Sequence, residues 1–598
     1  MQRAIVFHLA SPLFSRKFVL IFLYYHEHKK MKRFTLLVIA YSLMFFSVLV
    51  ARDEERFVRF TLKEKSSLER FTKLINIDNV IADTVYAYCN ARQWSALQKL
   101  NFTIEELPHP SSLYHHTMAH SPKEMKSWDK YPTYAAYLQM MHLFALNFPE
   151  ICVLDTFGYS VNGKLLLALK ISSNVHIRED KPKFFYTSTM HGDETVGYVM
   201  LLRLAEYLLT NYNDDTQEGA RVTGIVNNIE IWLNPLANPD GSYRLGDDTT
   251  VNHARRYNAN GFDLNRDFPD RIDDTVNTTD GRQIETKAMM KFCVKHRFNL
   301  SANFHGGAQV VNYPYDNGTP SGTYSICPED AWFIHLSRVY ATPNPDIMNG
   351  GFLNGITNGC DWYAIFGGRQ DWMYHWYGGR ETTIELSNTK NPAGSTLPQR
   401  WENNRESLLA YIEESLKGIR GIITDAQTDH QIRARIDVQS IPNSPVFSDS
   451  MIGDYHRFIL SGAYNLIISA PGYYSDTVQN VVVTDTAVTY VNIALQKNTV
   501  FIPNELSEQP QKFSLLQNYP NPFNPKTSIG FSLLAMGNVS LKIYNIVGQE
   551  IATLLNNKKM EAGEHKMEFD ASKLPSGVYL YRLTAGDYSE TKKMIITK

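Results

Sequence analysis

Cysteine is scarce in this chain of 598 residues. The five that occur, Cys89, Cys152, Cys293, Cys327 and Cys360, include no Cys-x-x-Cys pair. That pattern excludes a disulfide framework or a cysteine-based metal centre as the organising element. One or two bridges stay open, and the odd count leaves at least one thiol unpaired. An excess of charge is also missing: 59 Lys and Arg oppose 61 Asp and Glu, a net of −2, with no basic tail. This composition argues against a nucleic-acid or other polyanion partner. An apolar fraction of 43% with 20% charged residues is that of a globular protein rather than a disordered one. The length exceeds what one hydrophobic core can serve and implies three or four domains.

The one long apolar run lies near the N-terminus. Lys29, Lys30, Lys32 and Arg33 precede the apolar stretch from Phe34 to Val50, which ends in Ala51 before charged Arg52. A basic start, an apolar middle and a small residue before a polar shift make residues 1–51 a secretory signal peptide region. Met31 looks like the natural start, with 1–30 an over-extended beginning. A membrane anchor is the competing reading, and none is expected in the mature protein. Residues 52–118 read as strand, helix, strand, helix, strand, a small α/β segment suited to a prosegment, plus a linker. The tract from His109 to His120 holds several histidines but no cysteine or carboxylate that completes a ligand set, so it reads as that linker.

Residues 119–417 alternate apolar strands with helical periodicity. "LLLALKIS", "KFFYTSTM", "IEIWLNPL" and "NLSANFHG" are buried strands, and "VGYVMLLRLAEYLLTNY" and "IETKAMMKFCVKHRF" are helices. The expected fold class is α/β, with a mixed, largely parallel sheet covered by helices on both faces. Residues 418–497 are short alternating strands, as expected of a small β-sandwich, and 498–512 form a polar linker. Residues 513–598 make a second all-β sandwich.

Three motifs fall where strands end, the place where such sheets bind ligands. His191 and Glu194, in "HGDE", follow "FFYTSTM", and their spacing lets both reach one metal ion. His305 ends "SANFH" and is followed by two glycines, which permit close approach. Glu385 stands alone between Ile384 and Leu386. Buried without a partner it costs free energy, but beside a hydrolytic metal it serves as a general base. Arg256, Asn265 and Arg266 lie in "ARRYNANGFDLNRDFPD", and Tyr363 lies in a glycine- and aromatic-rich loop.

Taken together, "WDKYPTY", "HGDE", "NPDG", "GFDLNRDFP", "NFHGG", "NYPYD", "GITNG", "GGRQDW" and "TIEL" follow one another across residues 119–416. In that order the set resembles the zinc metallocarboxypeptidases of the carboxypeptidase A/B superfamily, most closely the N/E-like subfamily. The resemblance implies one zinc ion on His191, Glu194 and His305. It implies Glu385 as the base and Arg256 as the group that stabilises the oxyanion. Arg266, helped by Asn265 and by Tyr363 closing over the substrate, would clamp a C-terminal carboxylate, for which a guanidinium fork is suited. Asp316 and Gln370 match positions that favour C-terminal Lys or Arg. Two departures bear on this: Arg369, where an apolar residue is usual, could oppose a basic substrate if it points inward, and Asp267 replaces a commoner Asn. The 418–497 module resembles the transthyretin-like domain of N/E-like enzymes. Residues 513–598, with "NYPNPFNP", "YNIVGQEI", "LPSGVYLYRL" and "KKMIITK", resemble the C-terminal sorting domain of type IX secretion substrates. That implies a Gram-negative bacterium, passage through the periplasm by way of secretion machinery, and a secreted or cell-surface location.

The function expected is hydrolysis of the last peptide bond of peptides or proteins with a free C-terminus, preferring Lys or Arg. One alternative is an amidohydrolase of the same fold acting on cell-wall peptides, which need not keep the carboxylate clamp. The other is a catalytically inactive surface binding protein, which would tolerate loss of a ligand or of the base. All of these residues are present.

Overall fold

A computed structural model of the chain describes residues 55–498 and 514–597, apart from 101, 245, 519, 534–536, 561–562 and 586–587. The signal-peptide region falls outside the described residues, as does nearly all of the 498–512 linker. The chain divides into two compact units, Met1–Gln496 and Lys497–Lys598.

An eight-stranded sheet organises the first unit. Its strands, numbered within this sheet, are β1 (Cys152–Tyr159), β2 (Leu165–Ile171), β3 (Lys183–Ser188), β4 (Glu230–Asn234), β5 (Leu300–His305), β6 (Gln309–Tyr313), β7 (Ile356–Asn358) and β8 (Arg380–Leu386). Their spatial order is β7-β6-β8-β5-β3-β4-β2-β1. The inner pairs β8·β5, β5·β3 and β3·β4 are parallel, while β2 and β1 continue antiparallel. The expected α/β class with a mixed sheet is what the chain adopts.

Period-two alternation sorts each strand's side chains between two cores. Leu167, Leu169, Phe184, Tyr186, Ile231, Leu233, Phe304 and Ile384 pack into one core with helices Tyr134–Asn147, Val196–Thr210, Asp330–Ala341 and Leu397–Glu413. The intervening Ala168, Phe185 and Trp232 join helix Ile284–His296 and the turn around Trp372 in a second core on the opposite face. On β5 the same alternation leaves Ser301, Asn303 and His305 on the face away from Phe304, and register pairs His305 with Glu385 of β8. Alternation therefore delivers the two candidate residues side by side at the strands' C-terminal ends.

The N-terminal segment departs from its expected pattern. Its sheet has four strands, Asn76–Ile81, Thr84–Cys89, Arg56–Thr61 and Glu105–Leu107 in spatial order. The helix read across "SLERFTKLIN" is confined to two short turns ending at Thr72, and "NIDNVI" is an additional strand. That stretch is short, and its apolar residues fit a helical face as well as a strand, so periodicity alone does not separate the two. Helix Ala91–Gln98 begins with a reciprocal capping box between Asn90 and Gln93. All five cysteines are buried and unpaired.

Residues 419–495 form two facing β-sheets around a core that includes Ile423, Ile436, Leu466 and Val483. This module is fixed to the α/β body by buried groups. Phe458 stacks on Trp332, and Arg178 contacts both carboxylate oxygens of Asp454 at 2.7 Å. Glu329 accepts from Arg380 at 2.8 Å and from Arg457 and Ser444. The second unit has one sheet of Ser514–Leu515, Lys526–Leu533 and Gly563–Asp570. Its other sheet has Glu550–Met560, Gly537–Asn545, Gly577–Ala585 and Tyr588–Ile596, and the two enclose their own core. Among the described residues no helix is long and apolar enough to cross a membrane.

The Glu329 cluster sets a stability expectation. Replacing Glu329 with Ala leaves the buried Arg380 and Arg457 guanidiniums uncompensated, which costs about 3–5 kcal/mol. Equilibrium denaturation should show this as a lower midpoint for the first unit, and a change within about 0.5 kcal/mol, the size of an ordinary surface substitution, contradicts it.

Candidate metal and substrate site

The three proposed ligands, far apart in sequence, converge at the C-terminal edge of the sheet. His191 and Glu194 stand on the loop between β3 and helix Val196–Thr210. The loop begins at Thr189, whose φ of 61° is an uncommon left-handed value, and the Thr189 hydroxyl donates to the Glu194 carbonyl at 3.0 Å. Gly192 makes the loop's packing possible. A Cβ there would lie 2.3 Å from the Gly241 backbone of "NPDG", so the two motifs abut where no larger residue fits.

His191 Nδ1 lies 3.0 Å from Glu194 Oε1, and His305 Nδ1 lies 2.9 Å from Glu194 Oε2. The two Nδ1 atoms are 3.0 Å apart. Each residue is at most 3% exposed. Burial pushes His305 down to about 4, against the pull of Glu194, so its imidazole is neutral. Burial would raise Glu194, but His191, Lys390 and His305 outweigh it and hold the carboxylate ionised. Two imidazole nitrogens and a carboxylate directed at one point are the donor set of a hydrolytic zinc site with an open position, and the residues fit a bound divalent cation.

Four residues that the sequence reading did not single out support this group. Asp263 accepts from His191 Nε2 at 2.9 Å, directing Nδ1 toward the ligand cluster, and also accepts from Arg256 Nε at 2.9 Å. Asn303 lies 2.8 Å from His305 Nε2. Lys390 donates to Glu194 Oε1 at 2.5 Å and to the Gly306 carbonyl at 2.8 Å. Asp78, from the unexpected strand Asn76–Ile81, completes the set, with its carboxylate 2.6 Å from Lys390 Nζ and 3.2 Å from Arg256 Nη1. Asp263 sits inside a motif already noticed, two residues before Asn265. Asn303 likewise opens the "NFHGG" motif, whereas Lys390 carries no local signal.

A small cavity beside the ligands is lined by Arg256, Asn265, Arg266, Asn312, Trp362, Tyr363, Ile365, Thr383 and Glu385, together with His191, Glu194, His305 and Asp78. Burial raises Glu385 well above the usual carboxylate range, and the neighbouring Glu194 charge adds to this, with Lys390 and Arg256 opposing. Its Oε2 is buried without a hydrogen-bond partner. Arg256 Nη1 is 3.4 Å from Glu194 Oε1.

Asp316 and Gln370 lie behind the lining. Asp316 Oδ1 accepts from Asn312 Nδ2 and from Gln370 Nε2, both at 2.9 Å, and burial pushes the Asp316 carboxyl up to about 7. It presses so closely on Gly359, the last residue of "GITNG", that a Cβ there would meet it at 2.0 Å. Arg369 turns away from the cavity. It is fully buried and pairs with Glu381 at 2.8 Å beneath the face of Phe185. Asp267 accepts from the backbone of Gln283 at 2.7 Å and is not part of the lining. In the histidine tract, His109 finds a carboxylate after all, Glu55 at 2.7 Å. Buried His116 packs edge-on to Tyr131.

Residues 137–407 match the zinc carboxypeptidase family, and 517–597 match a secretion system C-terminal sorting domain. Human carboxypeptidase D is 39% identical over 375 residues, covering 60% of this chain and 26% of that protein. The chain therefore spans about a quarter of that longer relative. Mouse carboxypeptidase M is 36% identical over 343 residues, covering 55% of this chain and 76% of its own. A crystal structure of carboxypeptidase A from Helicoverpa armigera aligns with a TM-score of 0.45 at 17% identity, over 60% of this chain and 97% of that one. On its match to carboxypeptidase M over three quarters of that relative's length, the chain belongs to the zinc carboxypeptidase family.

Proposed function

We propose that this chain is an exported zinc metallocarboxypeptidase that hydrolyses the last peptide bond of peptides or proteins, preferring C-terminal Lys or Arg. The observation that carries the reading is the convergence of His191, Glu194 and His305 beside Glu385, in one cavity with Arg256 and Arg266. Zinc held by the three ligands would supply Lewis acidity, polarising the carbonyl and lowering the pKa of water. Glu385, its basicity raised by burial, accepts the proton of the attacking water and returns it to the leaving amine. Arg256, oriented by Asp263, donates to the oxygen on which negative charge develops. Arg266 and Asn265 bind the terminal carboxylate, and Tyr363 closes over it.

A preference for basic side chains is supported by the buried Asp316 carboxyl and by Arg369 facing away. A cationic side chain entering past Asn312 would meet a carboxylate that no arginine or lysine among the described residues pairs with by direct contact. The carboxypeptidase clamp favours this reading over the amidohydrolase, and the intact ligands and base favour it over the inactive binding protein. The domain limits proposed for the chain are 52–118, 119–417, 418–497 and 513–598. The last of these, matching a sorting domain, is the part that would engage the secretion machinery and bring the protein to the surface or medium.

Glu385→Gln should retain zinc at one ion per chain by metal analysis while lowering kcat by roughly 10²–10⁴. Undiminished turnover removes Glu385 as the base. Amidation of the substrate's C-terminus should abolish hydrolysis, because the arginine clamp then has no anion to bind. An amide cleaved as fast as the free acid points instead to the amidohydrolase. The ratio of kcat/KM for Lys-ended over Phe-ended peptides cancels the titration of Glu385. It should fall as pH drops from about 8 to about 6, because protonating Asp316 removes the charge that selects the cation. Asp316→Asn should lower the ratio at least about tenfold and make it independent of pH.

A further inference from the structure

A second cavity opens at the other end of the sheet. We propose that it is a binding site for a small organic anion, an acid group carried on a flat apolar body. This inference does not depend on the peptidase reading.

The cavity has a volume of about 210 Å³. At ~30 Å³ per water that is room for roughly seven waters, or for a small organic molecule of the same bulk. Part of its lining is Asn299, just before β5, and Arg380, the first residue of β8. The metal ligand His305 ends β5, and six residues at about 3.3 Å each put roughly 20 Å between the two sites. The rest of the lining includes Arg433, Phe447 and His456 of the 419–495 module.

The charge of this space has one sign. The guanidiniums of Arg297, Arg380 and Arg433 line it, and no carboxylate does. Arg297 follows helix Ile284–His296 and is exposed, as is Arg433. Neither has an ion-pair partner among the described residues, and Arg433 lies over the Phe447 ring at 5.0 Å. Arg380 is 2% exposed. Its Nη groups donate to the Gly378 carbonyl, Glu329 and Ser444, but its Nε is buried without a partner. Asn299 Oδ1 accepts from the Lys183 N–H at 2.8 Å, which leaves the Nδ2 hydrogens as unused donors. Nearby acids are engaged elsewhere: Glu329 by Arg380 and Arg457, and Asp454 by Arg178 and His456. Like charges around one space repel, and a buried donor without an acceptor costs free energy. An anion relieves both, and guanidinium forks match the oxygens of a carboxylate or phosphate.

The remaining walls are aromatic. Trp376 donates its indole N–H to the Asp270 carbonyl at 3.2 Å, and Tyr377 its hydroxyl to the Cys293 carbonyl at 2.7 Å. Their polar atoms are spent, and the rings remain as apolar surface beside Phe298 and Phe447. A bare inorganic ion leaves these rings unused, and a neutral ring leaves the guanidiniums unanswered. A flat acid satisfies both sets.

The test is calorimetric titration of the zinc-loaded full chain with indole-3-acetate and with phenyl phosphate. At least one acid should bind once per chain with Kd below ~1 mM, and their ranking tells whether the preferred head is carboxylate or phosphate. Indole-3-acetamide, which lacks the charge, and inorganic phosphate, which lacks the ring, should bind at least tenfold more weakly. Arg297→Asn tolerates the left-handed backbone there, where φ is 58°. Combined with Arg433→Gln it should weaken binding at least tenfold without moving the ligand-free thermal midpoint, and each substitution alone at least threefold. The bound acid should raise the midpoint of the first unit in the parent and not in the double variant. The clamp at Arg266 also takes carboxylates, so Arg266→Gln is titrated alongside and should bind like the parent. Binding lost in Arg266→Gln but kept in the double variant places the acid at the clamp and overturns the proposal. So does an amide or inorganic phosphate that binds as tightly as the acids, or a failure of both acids to bind.

Discussion

The constraint on which this structure turns is the burial of one carboxylate, Glu194, among groups that must all be oriented by it. Two imidazoles, Lys390 and Arg256 approach it from separate elements. At this degree of burial each approach is strong, and each would be a liability if its partner were lost. The neighbouring carboxylates obey the same rule. Asp263 is satisfied by His191, Arg256 and the Asn265 backbone. Glu385 has an oxygen with no partner, and its affinity for a proton rises accordingly. One electrostatic arrangement thus pushes two acids of the same type apart, holding Glu194 ionised and drawing Glu385 toward its protonated form. The sheet's parallel register is what permits this, because it brings the ends of β3, β5 and β8 to one edge.

Much of the fold was legible because its signals are local. Uninterrupted apolar strands, amphipathic helices and the change to short alternating strands after residue 418 follow from period and length alone. Eight of the residues that line the cavity, His191, Glu194, Arg256, Asn265, Arg266, His305, Tyr363 and Glu385, were legible as parts of sequence motifs. What was not legible came from distant convergence. Asp78 lies more than a hundred residues from His191 in sequence, on a strand too short to be told from the helix before it. Lys390 has nothing beside it to mark it as a partner of Glu194. Asp263 had a signal, an acid two residues from the proposed clamp, but only the folded chain shows that it faces His191.

Arg369 illustrates why a charge near a pocket in sequence says little about the charge inside it. It neighbours Gln370, whose amide touches Asp316, so either side chain could have faced the substrate. The two diverge because they occupy successive positions on one turn. Arg369 passes under Phe185 to reach Glu381 on β8, and Glu381 is held in turn by Ser301 of β5. The charge is neutralised within the sheet, so Arg369 does not oppose Asp316 behind the cavity lining. The carboxyl at Asp316 is raised because burial penalises its ionisation more than Asn312 and Arg266 relieve it.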